Sequence, residues 1–449
     1  MKEYDVVVVG GGPAGLSTGA ECANNGIKTL VIEKDSLELS KKALITFKEA
    51  VDSWNLKECV VGRVRGLNFN SEYGGGTAKA SRYAGFTIDQ SLFNKEMRGK
   101  TEVQIWDKTK VVCAERKEGK VLVKTEGREK EVVKTPLIID ATGSFANASR
   151  MLGKKVELKM GFAGYGVKLQ ANENEDLLSH FSLDKETVGF WGGSYRKLHG
   201  YMWDGALYPY EDGSLDICCG ETGVYPSLIR KYQLKNEYEY CKKALGERWK
   251  FLKDFYKEGF SKGKVVKEHW GFIKENMERE PFDANLLMVG DNTGRVSLTT
   301  GEGFQPALIY GKIAGDFATK AISEERVDKK YLSGYDTLLD ENEVTGKDWS
   351  KAVSMILRLG SDHIVAFIIS CLGRIAVKFG EDELINLMST GKAQDKQKME
   401  FGIDIAKHLT KLVIRKDYRK DFFSGDYIRR VYPESKIWLA PKIKEVFDL

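Results

Sequence analysis

Between Tyr4 and Glu33 the chain reads as a strand, a glycine turn, a helix, a second strand and an acid. Four consecutive valines, Val6–Val9, suit a strand buried on both faces of a parallel sheet. Gly10, Gly12 and Gly15 follow as Gly-x-Gly-x-x-Gly, with Pro13 and Ala14 inside the motif. The first glycine lets the chain turn, the second lets a pyrophosphate approach the backbone, and the third lets the helix pack on the strand. The helix opens with unpaired N–H groups and the positive end of its dipole. Asn25-Gly26 stops it. Glu33 follows Gly15 by 18 positions and ends the second strand, where a carboxylate can bind a ribose hydroxyl. The stretch therefore predicts a dinucleotide site on a βαβ unit.

Composition narrows the rest. The 449 residues carry a net charge of +5, too slight to indicate a nucleic-acid partner. Seven scattered cysteines include one adjacent pair, Cys218-Cys219, and no Cys-x-x-Cys. That spacing fits a reducing compartment and argues against a disulfide framework or zinc. The five histidines show no metal-ligand spacing, so no metal site is expected. No secretory signal precedes the first strand. The longest apolar run, Ile364–Leu372, is too short to span a bilayer. The expectation is a cytoplasmic protein.

Two later strand ends resemble the first in character. Leu137–Asp140 reads as a buried strand running into Ala141-Thr142-Gly143, and Leu286–Val289 as another running into Gly290-Asp291-Asn292-Thr293-Gly294. A loop then reaches Gly301-Glu302-Gly303, ahead of a helix from Phe304 to about residue 322. One carboxylate and several backbone N–H groups are thereby set for a phosphate and a polyol. Asp291 suits a ribityl hydroxyl, and Gly303 with Phe304 suits the pyrimidine end of a flavin. A plain NAD site needs no such third element, so FAD is the expected cofactor.

Between these strands the pattern changes. Asp89 caps a helix over Gln90–Arg98. Val103–Trp106, Lys110–Cys113 and Val121–Thr125 alternate like an antiparallel meander with a turn at Glu118-Gly119. Tyr73–Gly76 reads as a turn. From 156 to 274 antiparallel-type strands dense in Tyr and Trp predominate, interrupted by a helix near 226–257. The fold class is thus α/β: a discontinuous Rossmann-like FAD-binding domain (1–59, 89–155 and 275–325), an inserted antiparallel-sheet substrate domain (60–88 and 156–274) and a C-terminal helical region (326–449).

With these residues in view, the chain resembles the flavoprotein class of aromatic hydroxylases, flavin halogenases, lycopene cyclases and geranylgeranyl reductases. It is most similar to the archaeal geranylgeranyl reductase family. The likeness is carried by Gly10–Gly15, Glu33, Arg98, Val103–Val111, Asp140–Gly143 and Val289–Gly303, and by Glu383–Gly391 and Val431–Pro433 in the helical third. It implies that Gly10, Gly12 and Ala14 face the pyrophosphate and Glu33 the adenosine ribose. It places Arg98 at the flavin nucleotide, Val111 on the adenine side, and Gly290, Asp291, Gly303 and Phe304 along the ribityl chain and ring. Further cofactor-contact candidates are Pro13, Gly15, Lys34, Ala43, Leu44 and Gly143.

Two departures from the family stand out. Its members often carry a cysteine in the loop after the adenosine strand, where this chain reads Lys41–Thr46 without one. The family's Tyr-x-Trp-x-Phe-Pro signature is here Tyr201-Met202-Trp203, resumed only at Tyr208-Pro209. These four residues are the candidate wall of an isoprenoid pocket. The resemblance implies saturation of geranylgeranyl-type double bonds of membrane lipids by hydride from reduced FAD. The electrons would come from an external donor, NAD(P)H or a ferredoxin. No proton donor is identified. Apolar runs and basic segments such as Lys411–Lys420 suggest peripheral membrane contact. Alternatives are a flavin monooxygenase or halogenase on the same fold, and an FAD-containing lipid-binding protein.

Overall fold

The computed structural model describes residues 1–342, with breaks at 40–42, 72–73, 84, 101, 157–160, 174, 193–204, 225–245, 247–248, 251, 255, 275–279 and 296–302, and also residues 383 and 403. At its centre five parallel strands lie side by side. In chain order they are β1 (Val6–Val9), β2 (Thr29–Ile32), β3 (Gln104–Trp106), β4 (Leu137–Asp140) and β5 (Leu286–Met288). In space the order is β5-β4-β1-β2-β3, with Phe282–Asp283 added antiparallel beyond β5.

The valine run explains the layers. Val6 and Val8 pack with Val31, Leu137, Ile139 and Leu287 under three helices: α1 (Pro13–Asn24), α2 (Gln90–Gly99) and α3 (Phe304–Ser323). Val7 and Val9 pack on the opposite face with Leu30, Ile138, Val111, Val121 and Val133. Each such valine contributes roughly 1.5–3 kcal/mol by leaving water. The second face is covered by an antiparallel meander of Thr109–Lys117, Lys120–Gly127 and Val132–Thr135. Its first turn is Glu118-Gly119, where both residues have positive φ.

Gln104–Trp106 does not belong to that meander. It is β3, parallel to β2. The α2 helix before it makes the crossover that a parallel neighbour requires, and a three-residue alternation cannot reveal this.

Helices α1 and α3 meet almost backbone to backbone. A Cβ on Gly311 would lie 2.5 Å from Ser17 Cβ, and one on Gly315 would lie 2.5 Å from Glu21 Cβ. Ser17 Oγ donates to the Leu308 carbonyl at 2.8 Å across the same contact.

A second, seven-stranded sheet runs in the order Gly263–Lys274, Gly161–Ala171, Leu215–Val224, Gly205–Pro209, Thr187–Gly192, Gly66–Ser71, Gly74–Lys79. One face buries Val167, Leu169, Leu207, Leu215 and Ile217 against Leu177, Phe181, Leu252 and Tyr256. The glycine triplet Gly74–Gly76 is not a turn. It starts the last strand, paired with Phe69–Ser71, because a glycine run without φ constraint can still fill ladder positions. Gly85–Asp89 pairs with Ala43–Phe47 on one side and Val60–Val64 on the other in a separate three-stranded sheet. Of the C-terminal helical region, Lys329–Leu332 and Gly334–Glu341 are described. The segments around Glu383–Gly391, Lys411–Lys420 and Val431–Pro433 lie outside the described residues, apart from Glu383.

Candidate functional site

Register puts the strand ends level. Val9 lies opposite Ile32 on one side and Asp140 on the other, and Asp140 lies opposite Met288. Gly10, Glu33, Ala141 and Val289 therefore leave the sheet along one carboxyl edge. From β1 the strand order runs outward in both directions, which is where open α/β sheets bind ligands.

At that edge the three glycines have different duties. Gly10 has φ +110°, and a Cβ there would sit 2.2 Å from the Ala141 carbonyl oxygen. A Cβ on Gly15 would sit 1.9 Å from the Gly10 carbonyl oxygen. These two positions hold loop, strand and helix together. Gly12 is different. It adopts an ordinary extended conformation at the N-cap of α1, and among the described residues nothing lies within 4 Å of where its Cβ would be. Pro13 occupies the first turn, which carries no acidic residue. The helix thus turns its positive end and unpaired amides toward open space.

Glu33 is tied beneath this loop. Its Oε2 accepts from the Gly11 N–H at 2.6 Å and its Oε1 from the Asp35 N–H at 2.9 Å. A carboxylate has further lone pairs, so hydroxyls can still bind it. Lys34 points into solvent and pairs with Asp35 at 3.7 Å.

The β4 end is held by Asp140, which is fully buried. Its carboxylate accepts from the Thr142 N–H and hydroxyl and from the Ser149 N–H and hydroxyl, at 2.6–2.9 Å. This network aims Gly143, with φ +71°, at the start of a short 3-10 turn. The β5 end supplies Gly290–Thr293, another such turn. A Cβ on Gly290 would lie 3.0 Å from Ala14 Cβ, and one on Gly303 would lie 3.8 Å from Asp291 Oδ1. The structure thus brings Gly10–Gly15, Glu33, Gly143, Gly290, Asp291 and Gly303 to one edge. The Phe304 ring is spent on packing, 5.0 Å from the Phe93 ring, so only its main chain at the start of α3 faces outward.

Several residues here carried no readable signal. Asn292 donates Nδ2 to the Asp140 carbonyl at 2.6 Å, while its buried Oδ1 has no partner among the described residues. Lys274, fully buried, places Nζ 3.4 Å from the Asn292 carbonyl oxygen. Arg295 pins the loop by pairing with Asp336 and Asp340, and its own carbonyl accepts from the Tyr310 hydroxyl at 3.0 Å. Burial holds the Tyr310 phenol well above its ordinary range. Only the four-residue spacing of Asp336 and Asp340 could have hinted at a shared cation.

The remaining candidates stand on other elements or lie outside the described residues. Arg98, at the end of α2, sits 3.9 Å from Glu38. With Leu37, Ser91, Leu92 and Lys95 they line an open pocket of ≈ 460 Å³. The Val111 side chain is buried in the core, leaving its main chain beside a register shift between Val111 and Cys113. Bulges of this kind re-aim backbone groups. Ala43 and Leu44 pair through their main chains with Asp89 and Ile88. Tyr201 and Trp203 lie outside the described residues.

Tyr208 and Pro209 stand on the large sheet, opposite Asp216 and Leu215. Burial, helped by Cys218 and Asp216, pushes the Tyr208 phenol far up. Burial likewise pushes the Cys218 thiol up to about 12, so it is no ready nucleophile. Among the described residues no group of His, Cys, Asp and Glu could hold a metal ion. No described helix is long and apolar enough to cross a membrane.

The chain is similar to several known proteins. Residues 5–178 match the lycopene cyclase protein family. A digeranylgeranylglycerophospholipid reductase of Methanococcus vannielii is 28% identical over 354 residues, covering 75% of this chain and 82% of the relative. One from Methanocaldococcus jannaschii is 27% identical over 94% of this chain and 97% of its own length. Among solved structures, a geranylgeranyl bacteriochlorophyll reductase-like protein of Thermoplasma acidophilum superposes with TM-score 0.63 at 17% identity, covering 92% of this chain and 98% of that one. A halogenase in complex with FAD superposes with TM-score 0.56 at 14% identity, covering 89% and 85%. The fold is that of these two solved structures.

Proposed function

We propose that this chain, a homologue of the archaeal digeranylgeranylglycerophospholipid reductases, is an FAD-dependent reductase that saturates isoprenoid double bonds of membrane lipids or their precursors. The observation that carries the reading is the convergence of four glycine-bearing or acid-bearing loops on one edge of the parallel sheet. The residues present fit FAD. The space over Gly12 would be filled by any side chain, the first-turn amides of α1 await an anion, and the buried Oδ1 of Asn292 awaits a donor.

In this reading Gly12, Pro13 and Ala14 face the pyrophosphate, Gly10 and Gly15 pack the loop that carries them, and Glu33 binds the adenosine ribose. Arg98 and the Val111 main chain serve the nucleotide end. Gly143, Gly290, Asp291, Gly303 and the Phe304 main chain serve the ribityl chain and ring, and the Ala43–Leu44 strand flanks them. The bound flavin supplies hydride once an external donor has reduced it. The protein's own tasks are to position the alkene and to exclude water. The face of the large sheet that carries Phe69, Phe190 and Tyr208 is assigned to the isoprenoid chain, which needs apolar area and few polar groups, whereas Pro209 alternates to the other face beside Leu215.

The test is anaerobic. Protein carrying photoreduced flavin is mixed with geranylgeranyl lipids, and the products are weighed by mass spectrometry. Gain of hydrogen pairs is expected. Unchanged lipid, with oxygenated product formed only in air, overturns the reading in favour of a monooxygenase.

A further inference from the structure

The large sheet carries a polar device that the proposed function has not used. His269 and Asp216 lie on strands separated by Gly161–Ala171, and His269 Nε2 is 2.8 Å from Asp216 Oδ1. Their side chains are 17% and 4% exposed. The pair exists because of the glycine between them. Gly166 is the ladder partner of both His269 and Cys218. A Cβ on it would lie 2.5 Å from His269 Cε1 and 2.7 Å from its Nε2. The imidazole occupies the space over that bare position and reaches the carboxylate.

The ladder also fixes which face this is. Tyr208 lies opposite Asp216, Ala206 lies opposite both Cys218 and Phe190, and Phe190 lies opposite Phe69, whose ring it stacks on at 5.2 Å. His269 therefore shares a face with the aromatic strip assigned to the isoprenoid chain. The opposite face is the apolar core under Phe181 and Tyr256. Tyr210 follows Pro209, with Lys168 Nζ over its ring at 3.8 Å, and the next residue, Glu211, reaches Val61, whose strand pairs with Gly85–Asp89. Asp89 belongs to the small sheet that also holds Ala43–Phe47. The large sheet thus meets this small sheet at one end, where the Glu211 N–H donates to the Val61 carbonyl at 2.9 Å, and the Gly290–Thr293 turn at the other, through Lys274 and Asn292.

We propose that His269, oriented by Asp216, is the proton donor for alkene reduction, taking the part left open by the absence of a cysteine from Lys41–Thr46. The inference rests on the reductase reading. In the step the C=C π bond breaks and two C–H bonds form. One carbon takes a hydride, for which reduced flavin is the two-electron donor. The other takes the Nδ1 proton of the imidazolium, Nε2 being engaged by Asp216. Water then restores the proton. Among the described residues the other charged or titratable groups on this face are Lys168, Lys264, Lys267, Tyr208, Tyr210 and Cys218. Lys168 is spent over the Tyr210 ring at 3.8 Å and near Asp212 at 3.9 Å.

The experiment compares wild type with H269Q, H269A and D216N. FAD affinity by fluorescence quenching is expected to be unchanged in all three, since none contacts the carboxyl-edge loops. Alkene-dependent reoxidation of reduced flavin in a single turnover is expected to fall about 100-fold or more in H269Q, the size of a lost general acid. Added imidazole should restore part of it in H269A, which a packing role would not allow. In the imidazole NMR spectrum the bonded Nε2 proton should be visible in wild type and lost in D216N. It should also shift when a geranylgeranyl lipid is added. A wild-type rate in H269Q, or a resonance indifferent to lipid, overturns the proposal. Wild type that never turns over overturns the reductase reading itself, so the two failures are distinct.

Discussion

Substituting Gly12 and Gly15 separately should divide one motif into its binding and its folding halves. At Gly12 the backbone is extended and the Cβ position is empty to 4 Å, so Gly12→Val introduces no clash in the protein alone. The N-cap loses a few tenths of a kcal/mol up to about 1 kcal/mol, as capping changes do. The valine would instead occupy the space the pyrophosphate needs. Displacing it by a methyl-sized distance breaks contacts with several amides, each worth about 1.5–3 kcal/mol when the acceptor is charged. Two such contacts give a loss of affinity of at least about 100-fold. At Gly15 a Cβ would stand 1.9 Å from the Gly10 carbonyl, a backbone atom that cannot swing away. Gly15→Ala must therefore separate α1 from β1, at about 3 kcal/mol or more of fold stability. The assays are flavin fluorescence quenching for affinity and urea unfolding of the apoprotein for stability. Wild-type FAD affinity in Gly12→Val would refute the placement of the pyrophosphate. Equal loss of stability in both variants would refute the division of labour.

Further expectations follow from the same geometry. Glu33→Ala should weaken FAD by roughly 1–3 kcal/mol and loosen the Gly11 and Asp35 amides, read as faster hydrogen exchange at both. Arg295→Met should cost less than the about 3–5 kcal/mol of a fully buried pair, because Asp340 keeps contact with water; urea unfolding measures it. Burial alone would raise the Asp184 carboxyl, yet hydrogen bonds from Lys79, the Glu186 N–H and Thr187 hold it below its ordinary value. Its stabilisation is thus present above about pH 4 and lost as pH falls through the lowered value, so Asp184→Asn should flatten the acid limb of a thermal-melting profile. Burial lifts Cys22 to about 12 and Cys59 to about 11, so iodoacetamide at neutral pH should label both only after denaturation, as mass spectrometry would show.

How much of this was legible depended on whether the signal was local. The β1–α1–β2 unit writes its valine run, glycines and acid within about thirty residues, and each feature has one physical cause. The cap at Asp89 is equally local, its carboxylate accepting from the Ser91 and Leu92 amides. The third glycine element was readable because strand, glycines and helix follow in order. Gln104–Trp106 was misplaced because three residues cannot state whether their neighbour runs parallel. Gly74–Gly76 was misread because composition favours turns where the ladder in fact continues. Asn292 and Arg295 matter through partners at Asp140, Asp336 and Asp340, and no periodicity connects such distances.

His269 and Asp216 show why the second half of a site is harder to read than the first. They stand 53 residues apart, on strands that do not touch, and neither has a neighbour in sequence that suggests chemistry. What joins them is register. Shifting Gly161–Ala171 by one residue would turn Gly166 to the other face and put a side chain beneath the imidazole. Register in turn is set by the apolar residues Val167, Leu169, Ile217 and Leu207 on the buried face, which are unremarked core residues. The polar pair is therefore specified by the hydrophobic pattern on the reverse of the sheet.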